Sequence, residues 1–218
     1  MLSTDAREQM IEQQVRAWEV LDERVLAVFR KVPREHFVPA EQRYLAFADT
    51  EVPLPQGQHM LRPSVAGRLL QALELTGTER VLQVGVGSGF LTACLAARAA
   101  HVEGVEIFPE LAALARRNLA ALSIGNVEIL TADAMQAVLE SRNRYGVIAV
   151  TGSVPILDER FQKHLEVGGR LFIIVGEAPV MTALLVRRSG ESSWSSASLF
   201  ETVVDPLVNA RRPEQFSF

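Results

Sequence analysis

The chain has 218 residues, 48% of them hydrophobic and 22% charged, which suits one globular domain with room for an N-terminal appendage. Its 22 Lys and Arg against 26 Asp and Glu give a net charge of -4, with no clustered Lys/Arg run (Arg211-Arg212 is a pair, not a patch), and this argues against a general nucleic-acid binder. No apolar run approaches the roughly 18 residues of a membrane span, and the N-terminus Met1-Leu-Ser-Thr-Asp-Ala-Arg-Glu has no signal-peptide pattern, so a cytoplasmic protein without a membrane partner is expected.

In chain order, residues 5–31 read as helical, with Met10, Val15, Leu21, Val25 and Val28 spaced as buried positions. Asp22 is placed to cap a second helix whose inner face carries Val25, Leu26 and Phe29, and Pro33 stops it. Residues 33–63 hold five prolines (Pro33, Pro39, Pro53, Pro55 and Pro63) and read as an irregular arm across the domain. Tyr44 and Phe47 are more simply anchors of that arm than site residues. Pro63-Ser64 opens a helix through about Leu73.

A regular alternation follows. Strands are expected at 80–84, 102–107, 127–131, 146–151 and 169–175, with helices at 89–99, 109–122, 134–141 and 155–165. Such alternation implies a parallel sheet covered on both faces. Cys94 falls in one of the apolar helices, where it packs rather than reacts. Residues 180–188 and 197–204, joined by Ser189-Gly-Glu-Ser-Ser, suggest an antiparallel hairpin closing the sheet, and Trp194 fits either a partner contact or a packed hairpin. The expected division is an N-terminal extension and arm at 1–63, a main domain at 64–210, and a tail at 211–218 that its charge and Pro213 mark as mobile.

The chemistry is concentrated in Val81-Leu-Gln-Val-Gly85-Val-Gly87-Ser-Gly89-Phe90 and in Glu106, 21 residues after Gly85. A strand that turns sharply into a helix needs glycine backbone angles and bare backbone against a ligand. An acid at the next strand end is placed to grip a ribose through both hydroxyls. A dinucleotide fingerprint would put its third glycine at position 90, where Phe90 stands. The G-x-G-x-G pattern instead suits S-adenosylmethionine (SAM). A plain glycine turn with a solvated Glu106 is the bland alternative. Gly85, Glu106, Asp133 and Thr151 all fall at expected strand ends, where ligands of open α/β sheets bind. The layout is that of the seven-stranded, Rossmann-like SAM-dependent methyltransferase fold. No residue is assigned to a metal.

The chain resembles the protein-L-isoaspartate (D-aspartate) O-methyltransferases from about residue 7 to about residue 176. Arg7-Glu-Gln-Met-Ile-Glu-Gln-Gln-Val-Arg, Asp22-Glu-Arg-Val-Leu-Ala-Val-Phe and Val32-Pro-Arg-Glu-His-Phe-Val-Pro39 look like that family's N-terminal helices and its Pro-Arg-x-x-Phe-Val-Pro signature. Val81 to Thr92, Val105-Glu106-Ile107, Ala132-Asp133 and Gly168-Gly169-Arg-Leu continue the match. The resemblance implies methyl transfer from SAM to an isoaspartyl carboxylate in damaged proteins or peptides. It assigns cofactor contacts to Gln83, Gly85, Gly87, Ser88, Gly89, Glu106, Ile107, Asp133 and Ala134. Gly85, Gly87 and Gly89 would cradle the methionine part, and Asp133 would accept a hydrogen bond from the adenine amino group. An aspartate before Ala134 also suits a helix N-cap, and the two roles are compatible.

The chain departs from this family at the substrate side. Gln58-His59-Met60-Leu61-Arg62-Pro63 stands where the family has Gln-Thr-Ile-Ser-x-Pro, so the serine hydroxyl becomes Leu61 and the threonine becomes His59. Gln83 replaces an acid, and Ala132-Asp133-Ala134 replaces Gly-Asp-Gly. His59 and Arg62 are the candidate catalytic replacements, Arg62 because a guanidinium grips a carboxylate bidentately. Exposed positions on the arm are the plain alternative for both. A diverged methyltransferase acting on another carboxylate or hydroxyl, small molecules included, and a non-catalytic SAM binder stay open beside the isoaspartyl assignment.

Overall fold

The computed structural model describes residues 2–136 and 144–212. Helix α1 (Leu2–Met10) runs into a π-helical turn (Ile11–Val15) and a 3-10 turn (Arg16–Trp18), which Glu19 ends with a left-handed φ of 62°. The helical stretch over 5–31 is broken there, and a second helix follows as expected from Asp22. Leu21 falls in the break, where helical spacing no longer assigns a face, and it is 66% exposed rather than buried. Asp22 caps α2 (Glu23–Lys31) by accepting the Arg24 N–H at 2.8 Å. Val25, Leu26, Val28 and Phe29 form its buried face.

The proline arm is more regular than its composition suggests. It contains α3 (Arg34–Phe37), a 3-10 turn (Ala40–Leu45) and a small antiparallel ribbon of β1 (Val52–Pro53) and β2 (His59–Met60), with Pro53 opposite His59. Proline is tolerated here because the ribbon has only edge strands. Tyr44 is 79% exposed, while Phe47 packs against the core.

Helix α4 (Pro63–Leu73) leads into the main sheet. Its strands are β3 (Arg80–Val84), β4 (His101–Glu106), β5 (Val127–Thr131), β6 (Tyr145–Val154), β7 (Leu165–Glu177), β8 (Val180–Arg188) and β9 (Trp194–Glu201), in spatial order β5-β4-β3-β6-β7-β8-β9. The first five are parallel, and β8 and β9 are antiparallel. Helices α5 (Phe90–Ala96), α6 (Pro109–Ala121) and α7 (Glu159–Lys163) are the crossovers described. The expected helix at 134–141 is described only at 134–136, and most of the predicted mobile tail also lies outside the described residues.

Period-two alternation places Val81, Val102, Val147, Ala149, Phe172 and Ile174 on one face of the sheet. Leu82, Val84, Val105, Ile148, Val150, Leu171 and Ile173 lie on the other. The first face shares one apolar cluster with Met10, Ile11, Leu26, Phe29 and Phe37, so the N-terminal helices build the same core as the sheet. Cys94 is fully buried there. Trp194 packs within the hairpin, under the Arg188 guanidinium at 5.6 Å. No helix among the described residues is long and apolar enough to cross a membrane.

Candidate active site

Strand β3 has β4 on one side and β6 on the other, because the chain steps outward from β3 to β4 and β5 and then returns to place β6 on the opposite side, reversing the strand order beside β3. Ligands of open α/β sheets bind at such a point. The main cleft of this protein opens there. It encloses about 1010 Å³ with its mouth included and is lined by the glycine loop, the ends of β4 and β6, the β1–β2 ribbon and the segment Val204 to Val208.

Gly85 turns the chain with a φ of +84°. A Cβ there would stand 2.6 Å from Thr151 Oγ1, whose hydroxyl lies 2.9 Å from the Val84 carbonyl and 2.7 Å from that of Gly85. The two strands thus part around one threonine. Gly87 is also left-handed and lines the cleft. Gly89 does a different job. It is absent from the cleft wall, and a Cβ on it would lie 3.3 Å from the backbone of Ala115, so it lets α6 pass close to the loop.

Glu106 is 4% exposed and holds this loop from below. Its Oε2 accepts the N–H groups of Val86 and Gly87, both at 2.9 Å, and its Oε1 accepts that of Phe108 at 3.0 Å. A carboxylate offers about four lone-pair positions. Three are filled by backbone, so only Oε1 retains a free position for a ribose hydroxyl. The expectation that Glu106 serves both hydroxyls unaided does not fit this arrangement, because its first task is to set the loop.

Gln83 is buried beneath the same loop. Its Nε2 donates to the Gly85 carbonyl at 3.0 Å, while its Oε1 is sealed from water with no partner among the described residues. An orphaned buried acceptor in a cleft wall calls for a donor from a ligand. Ser88, Ile107 and Ala134 also line the cleft. Asp133 caps the turn that follows it, accepting the Met135 N–H at 2.8 Å on Oδ1, and accepts the Asn209 amide at 2.9 Å on Oδ2. An adenine amino group would share Oδ2 with Asn209 or replace it.

At the mouth, the two candidate substrate residues part company. His59 lines the cleft, and its Nδ1 lies 3.0 and 3.2 Å from the two carboxylate oxygens of Asp205. Arg62 is outside the lining. It precedes α4, and its Nε stands 4.0 Å from Glu51. Leu61 is among the cleft residues and packs against the core.

Three residues escaped the sequence reading. Asp205 and Asn209 lie in the segment after β9, where no motif marks them. Arg34 had a signal, the Pro-Arg-x-x-Phe-Val-Pro stretch. It is 1% exposed, donates from Nη2 to the Leu61 carbonyl at 3.0 Å, and covers the Phe90 ring at 4.8 Å. Burial draws this guanidinium down to about 10, opposed by nearby Asp49. Burial likewise pushes the Cys94 thiol up, consistent with a packing role.

Comparison with known proteins gives the same picture over almost the whole chain. Residues 5–212 match the model of the family described as protein-L-isoaspartate(D-aspartate) O-methyltransferase. The chain is 38% identical to protein-L-isoaspartate O-methyltransferase 2 of Pelobacter propionicus over 94% of this chain and 91% of that protein. It is 37% identical to protein-L-isoaspartate O-methyltransferase of Rhodopseudomonas palustris over 94% of each. Among solved structures, a putative protein-L-isoaspartate O-methyltransferase of Plasmodium falciparum, in complex with S-adenosyl-L-homocysteine, shares the fold with a TM-score of 0.79 at 21% identity, covering 92% of this chain and 97% of that one. The chain belongs to the protein-L-isoaspartate(D-aspartate) O-methyltransferase family.

Proposed function

We propose that this protein is a SAM-dependent protein-L-isoaspartate O-methyltransferase that acts on isoaspartyl residues of damaged proteins and peptides. The observation that carries the proposal is a family match over residues 5–212 on a chain whose cleft sits at the glycine loop. The residues suit SAM. Gln83 Oε1 is a buried acceptor without a donor, suited to the methionine ammonium. Gly85 and Gly87 offer bare backbone, Glu106 Oε1 has room for one ribose hydroxyl, and Asp133 with Ile107, Ser88 and Ala134 completes the wall.

Bound SAM supplies a methyl group already activated by its sulfonium. An acceptor carboxylate is already a nucleophile, so no proton has to be removed from it. The work left to the protein is to bind, align and exclude water, and alignment by itself can supply many orders of magnitude. Thr151, Glu106 and Gln83 set the loop, and the β1–β2 ribbon with the Val204–Val208 segment walls the acceptor side. The half-exposed His59 is the acceptor-side contact.

Methyl transfer from radiolabelled SAM to an isoaspartyl peptide, beside the same peptide with normal aspartate, tests this function. Labelling of the isoaspartyl peptide alone is expected. SAM binding with no labelling of either peptide overturns it. The apolar Leu61 in the wall favours one second reading, a carboxylate or hydroxyl acceptor other than isoaspartate. Labelling of such a small-molecule acceptor in place of the peptide would select it.

A further inference from the structure

We infer that Asp205 is a positioning residue that fixes the His59 imidazole as the anchor for the acceptor's carboxylate. This inference rests on the methyltransferase function proposed above. The two residues are 146 positions apart, and each is held by its own backbone. His59 sits in the β1–β2 ribbon opposite Pro53. Asp205 is tied to the end of β6, where its carbonyl accepts the Ser153 N–H at 2.9 Å and the Leu207 N–H returns to the Ser153 carbonyl at 2.8 Å. Gly152 makes that approach possible, since a Cβ there would lie 3.1–3.2 Å from the Leu207 amide and the Asp205 carbonyl.

A carboxylate only accepts hydrogen bonds, so Nδ1 of His59 must carry the proton. Nε2 is then the ring nitrogen left over, and it has no hydrogen-bond partner among the described residues. Charge in the cleft gives it a use. Among the described residues the wall holds four acids, Glu51, Glu106, Asp133 and Asp205, and two side chains able to be cations, Arg34 and His59. Arg34 is sealed from solvent, with Nη2 on the Leu61 carbonyl and the guanidinium over Phe90, while its Nε and Nη1 have no partner among the described residues. A carboxylate entering this acidic wall is repelled unless it meets a donor, and the solvent-accessible one is Nε2–H of His59, whose side chain is 36% exposed. Asp205 supplies the counter-charge and stops the ring from sampling other rotamers. Esterification removes the acceptor's charge, so the same contact holds substrate more tightly than product.

The test uses full-length protein with the substitutions H59Q, D205A, D205N and the double variant H59Q/D205A. Readouts are the KM for an isoaspartyl peptide, the Kd for SAM, and the ¹⁵N signals of the His59 ring. D205A and H59Q are each expected to raise the peptide KM about tenfold, the loss typical of one hydrogen bond to a charged group. SAM affinity should stay within about twofold, on the same basis that these residues make no cofactor contact. D205N keeps an accepting oxygen and should recover part of the loss. The double variant should be no worse than H59Q alone. With peptide bound, the wild-type ¹⁵N signals should show both ring nitrogens protonated, and those of D205A should not. An unchanged KM in D205A, or a D205A penalty undiminished in the H59Q background, overturns the inference while leaving the function intact. Wild type that binds SAM and labels no peptide overturns the function and this inference with it.

Discussion

Replacing Glu106 by Gln removes one charge and almost no volume, and the structure sets the size of the effect. Three backbone N–H groups converge on this buried carboxylate at 2.9, 2.9 and 3.0 Å. The best amide orientation keeps its oxygen on Val86 and Gly87, and both bonds fall from charge-assisted to neutral strength, about 1 kcal/mol each. Its NH₂ then faces the Phe108 N–H, donor against donor, which costs about 1–3 kcal/mol more. Relief of burying a charge returns part of this, leaving a net loss of about 2–4 kcal/mol. For a domain of this size, that lowers Tm by roughly 5–15 °C. SAM affinity should fall as well, because the glycine loop loses its support. Thermal unfolding and calorimetric titration with SAM measure the two effects. An E106Q protein that melts within about 1 °C of wild type, well below the shift expected from even one such bond, and binds SAM normally would refute the idea that Glu106 sets the loop.

Other outcomes follow from the same geometry. Gly85→Ala puts a methyl group 2.6 Å from Thr151 Oγ1 at a φ of +84°, so it should cost about 1–3 kcal/mol of stability and weaken SAM binding; a normal SAM Kd would show that the loop tolerates a side chain. Asp133→Ser keeps a cap for Met135 but loses the oxygen now on Asn209, so helical content should persist while SAM affinity falls; an unchanged affinity would limit Asp133 to capping. Burial would push the Glu79 carboxyl up, but hydrogen bonds from backbone, Thr76 and Arg170 outweigh it and hold the group down to about 2. Its folded value is therefore depressed, and its stabilising effect is full above its ordinary value of 4.5 and lost as pH falls toward about 2. Glu79→Gln should flatten the acid limb of stability in that window, and an acid limb as steep as wild type's would count against it. Arg62→Ala should leave the peptide KM near wild type, since Arg62 stands outside the cleft wall; a large rise would restore it as the carboxylate contact.

The sheet and the glycine-loop wall of the cleft were legible in the sequence because their signals are local. Alternation at period two marks Val81 to Val84 and its parallel neighbours, and a glycine needed for a left-handed turn declares itself at Gly85 wherever the rest of the chain goes. The spacing to Glu106 is also short-range, one crossover long. Local signals carried less at the break near Leu21, where one residue of left-handed backbone at Glu19 resets the helical face. They also misjudged Gly89, whose constraint comes from Ala115 on another helix.

The amino-acid sequence by itself thus determined the strand–helix alternation, the sharp glycine turn at the end of β3, and the placement of His59 and Leu61 just before α4. Only the tertiary structure decided which side chains share a wall. Asp205 meets His59, Asn209 meets Asp133 and Arg34 disappears beneath Leu61 because separate segments pack on one core. Such pairings depend on where a fold brings distant backbone together, and neither propensity nor periodicity carries that information.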